Sequence, residues 1–377
     1  MRIQSPAIAH NRLRYRGRYR NRDNNRGAAI LIFVTIVLLA ATTLLVAELS
    51  VNDRQSLRTS DTADALGAAR QALVGYALNQ TIPGTLPCPD ATGDGLQNAA
   101  GANCQQQLGL LPTRTLNLPQ LTDGTGANLW YAVSLNYVGL AAASKNSSIA
   151  TTVVLDNRSV AAVVIAPGAP INAQGRRQLV VSDFLEGVNA DANLDDYQSA
   201  VSDIQNDRVL GLDAGQYWPI IEKRVLAEAS LLLNRYRIAC NEYPWAANFG
   251  GPYSSVASQP NGALPLNSAL PNEWGSACAT GSAPTPATFL VNHWRDQLYY
   301  AMCTSAAGNC LTVLGSADSP VAAILIAPGT ALPTQTRPNS NSAAYFEGEN
   351  NSLPQNQYRQ RTSINHSSTY NDTTTGL

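Results

Sequence analysis

The sequence predicts an α+β protein: a long N-terminal transmembrane helix followed by two duplicated modules, each a helix laid on an antiparallel sheet. Three observations predict it. An arginine-rich leader runs into an uncharged apolar stretch, helical periodicity continues beyond that stretch, and an apolar block recurs 161 residues further on. The same observations divide the chain into a basic leader (1–27), a transmembrane helix (28–47) and an amphipathic helical spine (48–79). A first head module (80–212), a second, duplicated head module (213–348) and a polar, mostly disordered tail (349–377) complete it.

The leader holds eight arginines against the single acid Asp23, and residues 28–47 contain no charge, proline or glycine. Twenty such residues make a helix of about 30 Å, the thickness of a bilayer's hydrocarbon core. Positive flanks stay in the cytoplasm. The expectation is a single-pass inner-membrane protein with a cytoplasmic N-terminus and a body that is periplasmic or in an extracellular filament. From Glu48 to Leu78 there is no proline, and Ala65, Leu66, Ala69, Ala72, Leu73, Tyr76 and Ala77 recur at helical spacing. Pro83-Gly84 ends the pattern.

The body is mildly acidic, with 17 basic against 25 acidic residues outside the leader. Nucleic-acid binding needs a clustered basic face, so no nucleic-acid partner is expected. The six cysteines, Cys88, Cys104, Cys240, Cys278, Cys303 and Cys310, all follow the apolar stretch. In an oxidising compartment an even number reads as three disulfides of open connectivity. No CxxC pair suggests zinc. GxxxxGK[ST], HExxH and GxSxG are all absent, and His293, the one histidine in the body, has no evident nucleophilic partner, so no enzyme is expected.

The repeat is the strongest signal in the body. VAAVVIAPGAP (Val160–Pro170) returns as VAAILIAPGTA (Val321–Ala331), and the same offset carries Glu186-Gly187 onto Glu347-Gly348 and Tyr197 onto Tyr358. LWYAVS (129–134) answers LYYAMC (298–303). The two apolar blocks read as buried strands closed by Pro-Gly turns, with the aromatic blocks as their partners. A second helix is expected from Pro219, a favoured first helical position, with Ile221, Val225, Ala229, Leu232 and Tyr236 on one face. Matching the halves suggests the pairs 88–104, 240–278 and 303–310.

The junction Arg26-Gly27 followed by AAILIFVTIVLLAATTLLVAEL resembles the prepilin signal of type IV pilins and type II secretion pseudopilins, although a plain uncleaved anchor fits the same residues. ALGAARQALVGYAL, PGTLPCPDATGDG, LGLLPTRTLNLPQL and NLWYAVS look like prepilin-like proteins of Gram-negative bacteria. The resemblance implies cleavage between Gly27 and Ala28 by a prepilin peptidase, and a helix that packs with other pilin or pseudopilin subunits. It also makes each module a pilin-type head. Pilins usually carry a glutamate five residues after the cut; here that position is Ile32, a departure shared with the pseudopilin at the filament tip. The expected function is a non-enzymatic minor subunit of a type IV pilus or type II secretion apparatus, at the tip. The alternative is a membrane-anchored periplasmic binding or structural protein outside any filament.

No cofactor is required by this reading. One loop suggests calcium: Asn189, Asp191, Asn193 and Asp195 place oxygens at alternate residues, as in positions 1, 3, 5 and 7 of a calcium loop. Leu194 and Ala200 fail the rest of that pattern. Asp90 to Gly95 is a second oxygen-rich turn.

Overall fold

The computed structural model describes residues 25–101, 103–139, 144–171, 174–191, 195–267, 285–304, 308–351, 356–360 and 369–377, with the side chains of 25–32 and 41–54 left aside. The chain divides into two units, residues 1–57 and 58–377.

Helix α1 runs over Asn25–Asn79. In the first unit its described side chains, residues 33–40, are all exposed. In the second, Ala65, Leu66, Ala69, Leu73 and Ala77 are buried in the core. Their three- and four-residue spacing puts them on one face.

Among the described residues, no helix is long and apolar enough to cross a membrane. This corrects the transmembrane helix expected over 28–47, and with it the single-pass, inner-membrane placement. α1 continues through the charged residues 58–70 to Asn79.

Strands follow in the order β1 (Ala99–Ala100), β2 (Asn103–Cys104), β3 (Leu108–Leu110), β4 (Trp130–Val133), β5 (Val153–Leu155), β6 (Arg158–Ala166), β7 (Asp196–Tyr197) and β8 (Arg208–Asp213). After α2 (Ala214–Cys240) come β9 (Asn261–Ala263), β10 (Tyr299–Met302), β11 (Thr312–Leu314), β12 (Ala323–Ala327), β13 (Gln357–Arg359) and β14 (Thr373–Gly376). The fold is sheet-rich, with one sheet curled into a half-barrel. The first sheet runs β3-β4-β6-β5-β7, with β8 also on β6; the second runs β14-β12-β10-β9, and β11 pairs with β13 alone. The β5–β6 hairpin turns on Asp156 and Asn157 at φ 49° and 62°. Those left-handed angles, which Asp and Asn tolerate, match the twist of a two-residue hairpin.

Among the described residues, the strands β3 to β8 before α2 therefore have counterparts after it in the same order, β9 to β14, while β1 and β2 have none. The sheets are not purely antiparallel, however: β5 with β7 and β11 with β13 are parallel. Nor are the halves separate modules. One core joins Tyr131, Val133, Ala162 and Val164 of the first sheet to Tyr300, Met302, Ala323 and Leu325 of the second, through α1 and α2. These two features correct the expected pair of helix-plus-antiparallel-sheet modules. The opposite sheet faces are buried too, under Tyr197 and Leu185 in the first half and Tyr358 and Phe346 in the second. Burial on both faces explains why β6 and β12 are unbroken apolar runs rather than alternating ones.

Two further expectations are corrected. α2 begins five residues before Pro219, because Asp213 caps it: its carboxylate accepts from Gly215 N–H at 2.8 Å. Residues 349–377, expected as a polar and mostly disordered tail, supply β13 and β14. Glycine at 376 permits the second of these, since a Cβ there would lie 2.8 Å from the Val321 side chain. A Cβ at Gly211 in β8 would likewise lie 2.9 Å from the Leu155 side chain.

Candidate functional site

Two features stand out: the exposed apolar surface of α1, and a polar cluster that the fold builds twice. On α1, Phe33, Ile36, Leu38 and Leu39 are 59–67 % exposed. Consecutive residues on a helix point about 100° apart, so this run is apolar on every face. The expected processing residues Gly27 and Ala28 both lie within α1, among residues whose side chains are not described.

The twice-built cluster ties together the loop after the APG strand, the Glu-Gly turn and the start of the last strand. In the first half, Gln174 donates to Glu186 Oε1 at 2.7 Å, and Asn206 N–H donates to Glu186 Oε2 at 3.1 Å. Glu186 N–H donates to Asp207 Oδ2 at 2.9 Å, and the Asn189 amide reaches the same oxygen at 3.2 Å. In the second half, Gln335 donates to Glu347 Oε1 at 2.5 Å and Asn371 N–H to Glu347 Oε2 at 3.1 Å. Glu347 N–H and the Asn350 amide each donate to Asp372 Oδ2 at 3.1 Å.

Both aspartates are buried, at 0 % and 1 % exposure. Burial first, and then the neighbouring Glu186 charge, pushes Asp207 up to about 8. Asp372 is raised well above the carboxylate range by the same two causes, with Glu347 as the neighbour.

Part of the calcium loop of the sequence reading, residues 192–194, lies outside the described residues. Asn189 is buried, its carbonyl accepting from Gln198 N–H at 2.8 Å and its amide committed to Gln198 and Asp207. Asp191 and Asp195 are exposed, and Asn193 lies outside the described residues. Among the described residues, no three His, Cys, Asp or Glu side chains are grouped to hold a metal. In the other oxygen-rich turn, the Asp90 carboxylate is filled by the N–H groups of Thr92, Gly93 and Gly95.

Cys88–Cys104 and Cys303–Cys310 are disulfides. Cys240 is also disulfide-bonded, and Cys278 lies outside the described residues. His293 sits in a π-helical turn, Leu290–Trp294, and its Nδ1 accepts from Lys145 N–H at 3.2 Å. That bond pins the first half's 144–149 segment to the second half.

Lys145 is 1 % exposed and its ammonium donates to Asn136 O. Burial lowers its pKa from 10.5 to about 8. The folded state therefore holds this proton less tightly than the unfolded chain, and the residue costs stability below pH 8 that is recovered as pH rises toward 10.5. Lys145→Met, which keeps the stem and removes the charge, is expected to raise stability at pH 7 by about 1–2 kcal/mol in urea unfolding.

Sequence reasoning missed Gln174, Asn206 and Asp207 and their counterparts. The signal was present: NDRVLGL (206–212) returns as NDTTTGL (371–377), at an offset of 165 rather than 161. Four extra residues between β13 and β14 shift the register and hide the match.

No family model, curated protein or solved structure matches this chain. The pilin-like resemblance therefore stands on the sequence motifs alone, and the membrane and pilin assignments gain no support from these comparisons.

Proposed function

We propose that this chain is a non-enzymatic assembly subunit of the pilin and pseudopilin kind, a minor component at the end of a type IV pilus or type II secretion filament. The observation that carries the reading is the run from Phe33 to Leu39, apolar but for Thr35 and exposed along α1. An all-round apolar helix is stable only when other elements surround it, and a single groove would cover one side. The occupants this surface fits are the matching helices of sister subunits, packed around it. Ile32, where pilins carry a glutamate, suits a terminal place, because such a subunit has no carboxylate to offer a neighbour's N-terminal amine.

Substituting Leu38→Lys places a charge in that packed bundle. In the native host, the variant is expected to fall at least about tenfold in the sheared-filament fraction, a loss of roughly 1.4 kcal/mol or more in the packing equilibrium. The body should keep its Cys88–Cys104 disulfide. The filament-associated wild-type chain should begin at Ala28 on N-terminal sequencing. A wild-type chain absent from filaments would instead leave a binding or structural protein that never enters a filament, and a variant incorporated as well as wild type would show that the 33–39 surface does not mediate the packing.

A further inference from the structure

We propose that each half of the body holds one proton shared between two neighbouring carboxyls, Glu186 with Asp207 and Glu347 with Asp372, and that the folded state depends on it. The inference is independent of any role in a filament. Its basis is an accounting of oxygens. Both Glu186 oxygens accept N–H groups, from Gln174 and Asn206, and Asp207 Oδ2 accepts two more. Asp207 Oδ1 is buried and accepts from no N–H or O–H. The same atom of Asp372 is left over in the same way. A bare carboxylate oxygen in a dry site is costly. The Glu186 side chain lies within hydrogen-bonding reach of Asp207, and Glu347 within reach of Asp372. A single proton between the paired carboxyls satisfies the remaining oxygen and halves the buried charge. That the fold repeats the arrangement in two sequence contexts argues that the unsatisfied oxygen is a designed feature.

The charged surroundings of the two pairs differ. Around the first stand Arg208, which follows Asp207 in the chain, and Arg176 of the loop after β6, whose guanidinium lies 5.5 Å over the Phe184 ring. Asp191, Asp195 and Asp196 act on the neighbouring Tyr197. Around the second, Arg337 feels the charges of Glu222, Glu347 and Asp372. Tyr370 feels Asp372, Glu349, Glu347 and Arg359. The Arg337 guanidinium is held by the carbonyls of Gly329, Ala344 and Tyr345.

The sign follows from linkage. The folded pKa of these aspartates lies above the unfolded value of 3.8. Below that value both states are protonated; above it the unfolded chain releases a proton that the folded chain keeps. Stability therefore declines as pH rises from the ordinary carboxyl range through the folded pKa. Each retained proton changes the unfolding constant by up to about tenfold per pH unit.

The test is urea unfolding of the full chain, disulfides intact, between about pH 5 and pH 9. Wild type should lose stability as pH rises from 5 toward 8, above which the Lys145 contribution runs the other way. D207N and D372N supply a permanent amide donor in place of the proton. Each should remove part of the slope, and the double variant the whole share of the two pairs, leaving the slope of Glu222, which burial pushes up to about 7. A slope that the double variant leaves unchanged would overturn the proposal. So would a stabilisation of wild type by millimolar calcium chloride that the double variant lacks, which would make the clusters cation sites. If the variants do not fold, infrared spectra of wild type decide: a protonated-carboxyl band persisting at neutral pH and lost in alkali is expected, and its absence at neutral pH refutes the shared proton.

Discussion

Replacing Trp218 by alanine is expected to destabilise the body by about 3–5 kcal/mol, in one transition that unfolds both sheets together. The side chain is fully buried. Its ring lies 5.6 Å from Tyr137 of the first half and 5.9 Å from Trp294 of the second, and its indole N–H donates to Tyr137 Oη at 3.0 Å. Gly84 opens the space it fills: a Cβ at that position, where φ is +92°, would sit 2.7 Å from the indole. Truncation leaves a cavity walled by both halves and strands the Tyr137 hydroxyl. Urea unfolding followed by far-ultraviolet circular dichroism, and in parallel by tyrosine near-ultraviolet signals, would measure the loss. Coincident curves are expected. Two separated transitions, with only one moved by the substitution, would show that the shared core does not couple the halves.

Removing the Cys88–Cys104 bridge ranks next. It closes a loop of sequence separation 16, worth about 3 kcal/mol in the loop-entropy model, against about 2 kcal/mol for the separation of 7 at Cys303–Cys310. Structure supports the larger figure for the first bridge. Cys88 belongs to the main core, and its N–H is held by Gln97 at 3.1 Å. Without the bridge, the unfolded chain gains freedom over this loop that folding must then remove, while in the folded state the Asp90 turn still orders part of it. Paired alanine substitutions compared by urea unfolding would test the order: equal losses at the two bridges would show that loop length does not set their worth.

Much of the body was legible because its signals are local. The APG blocks became β6 and β12, the aromatic blocks β4 and β10, and Ile221, Val225, Ala229, Leu232 and Tyr236 lie in the core as their spacing implies. Spacing could not show that α2 touches β6 and β8 as well as β12 and β14, because periodicity reports that a face is buried and not by what. The start of α2 was misplaced because Pro219 drew attention from Asp213, whose cap decides the boundary. The tail was misjudged on composition: Asn, Thr and Ser suggested disorder, yet Thr373–Gly376 is stitched to β12 by backbone bonds that side-chain polarity does not reveal. The expected membrane span failed for a different reason. Hydropathy over 28–47 predicted a span, whereas among the described residues no helix is long and apolar enough to cross a membrane. At the polar cluster, Glu186 and Asn189 were singled out, but the first only as a repeat marker and the second as a calcium ligand. Their partner Asp207 sits 18 residues beyond Asn189, and no short-range pattern joins them.

The helix that serves two sheets bears on how such a chain can evolve. A gene duplicated in tandem ordinarily leaves two copies free to drift, recombine or be exchanged with relatives at the junction between them. Here the junction falls at Asp213 and Ala214, and the helix beginning there packs on strands of both copies. An exchange at that point would hand one sheet a stranger's helix. Heredity therefore treats the two copies as a single unit, and a change on the inner faces of α2 must suit both lineages at once.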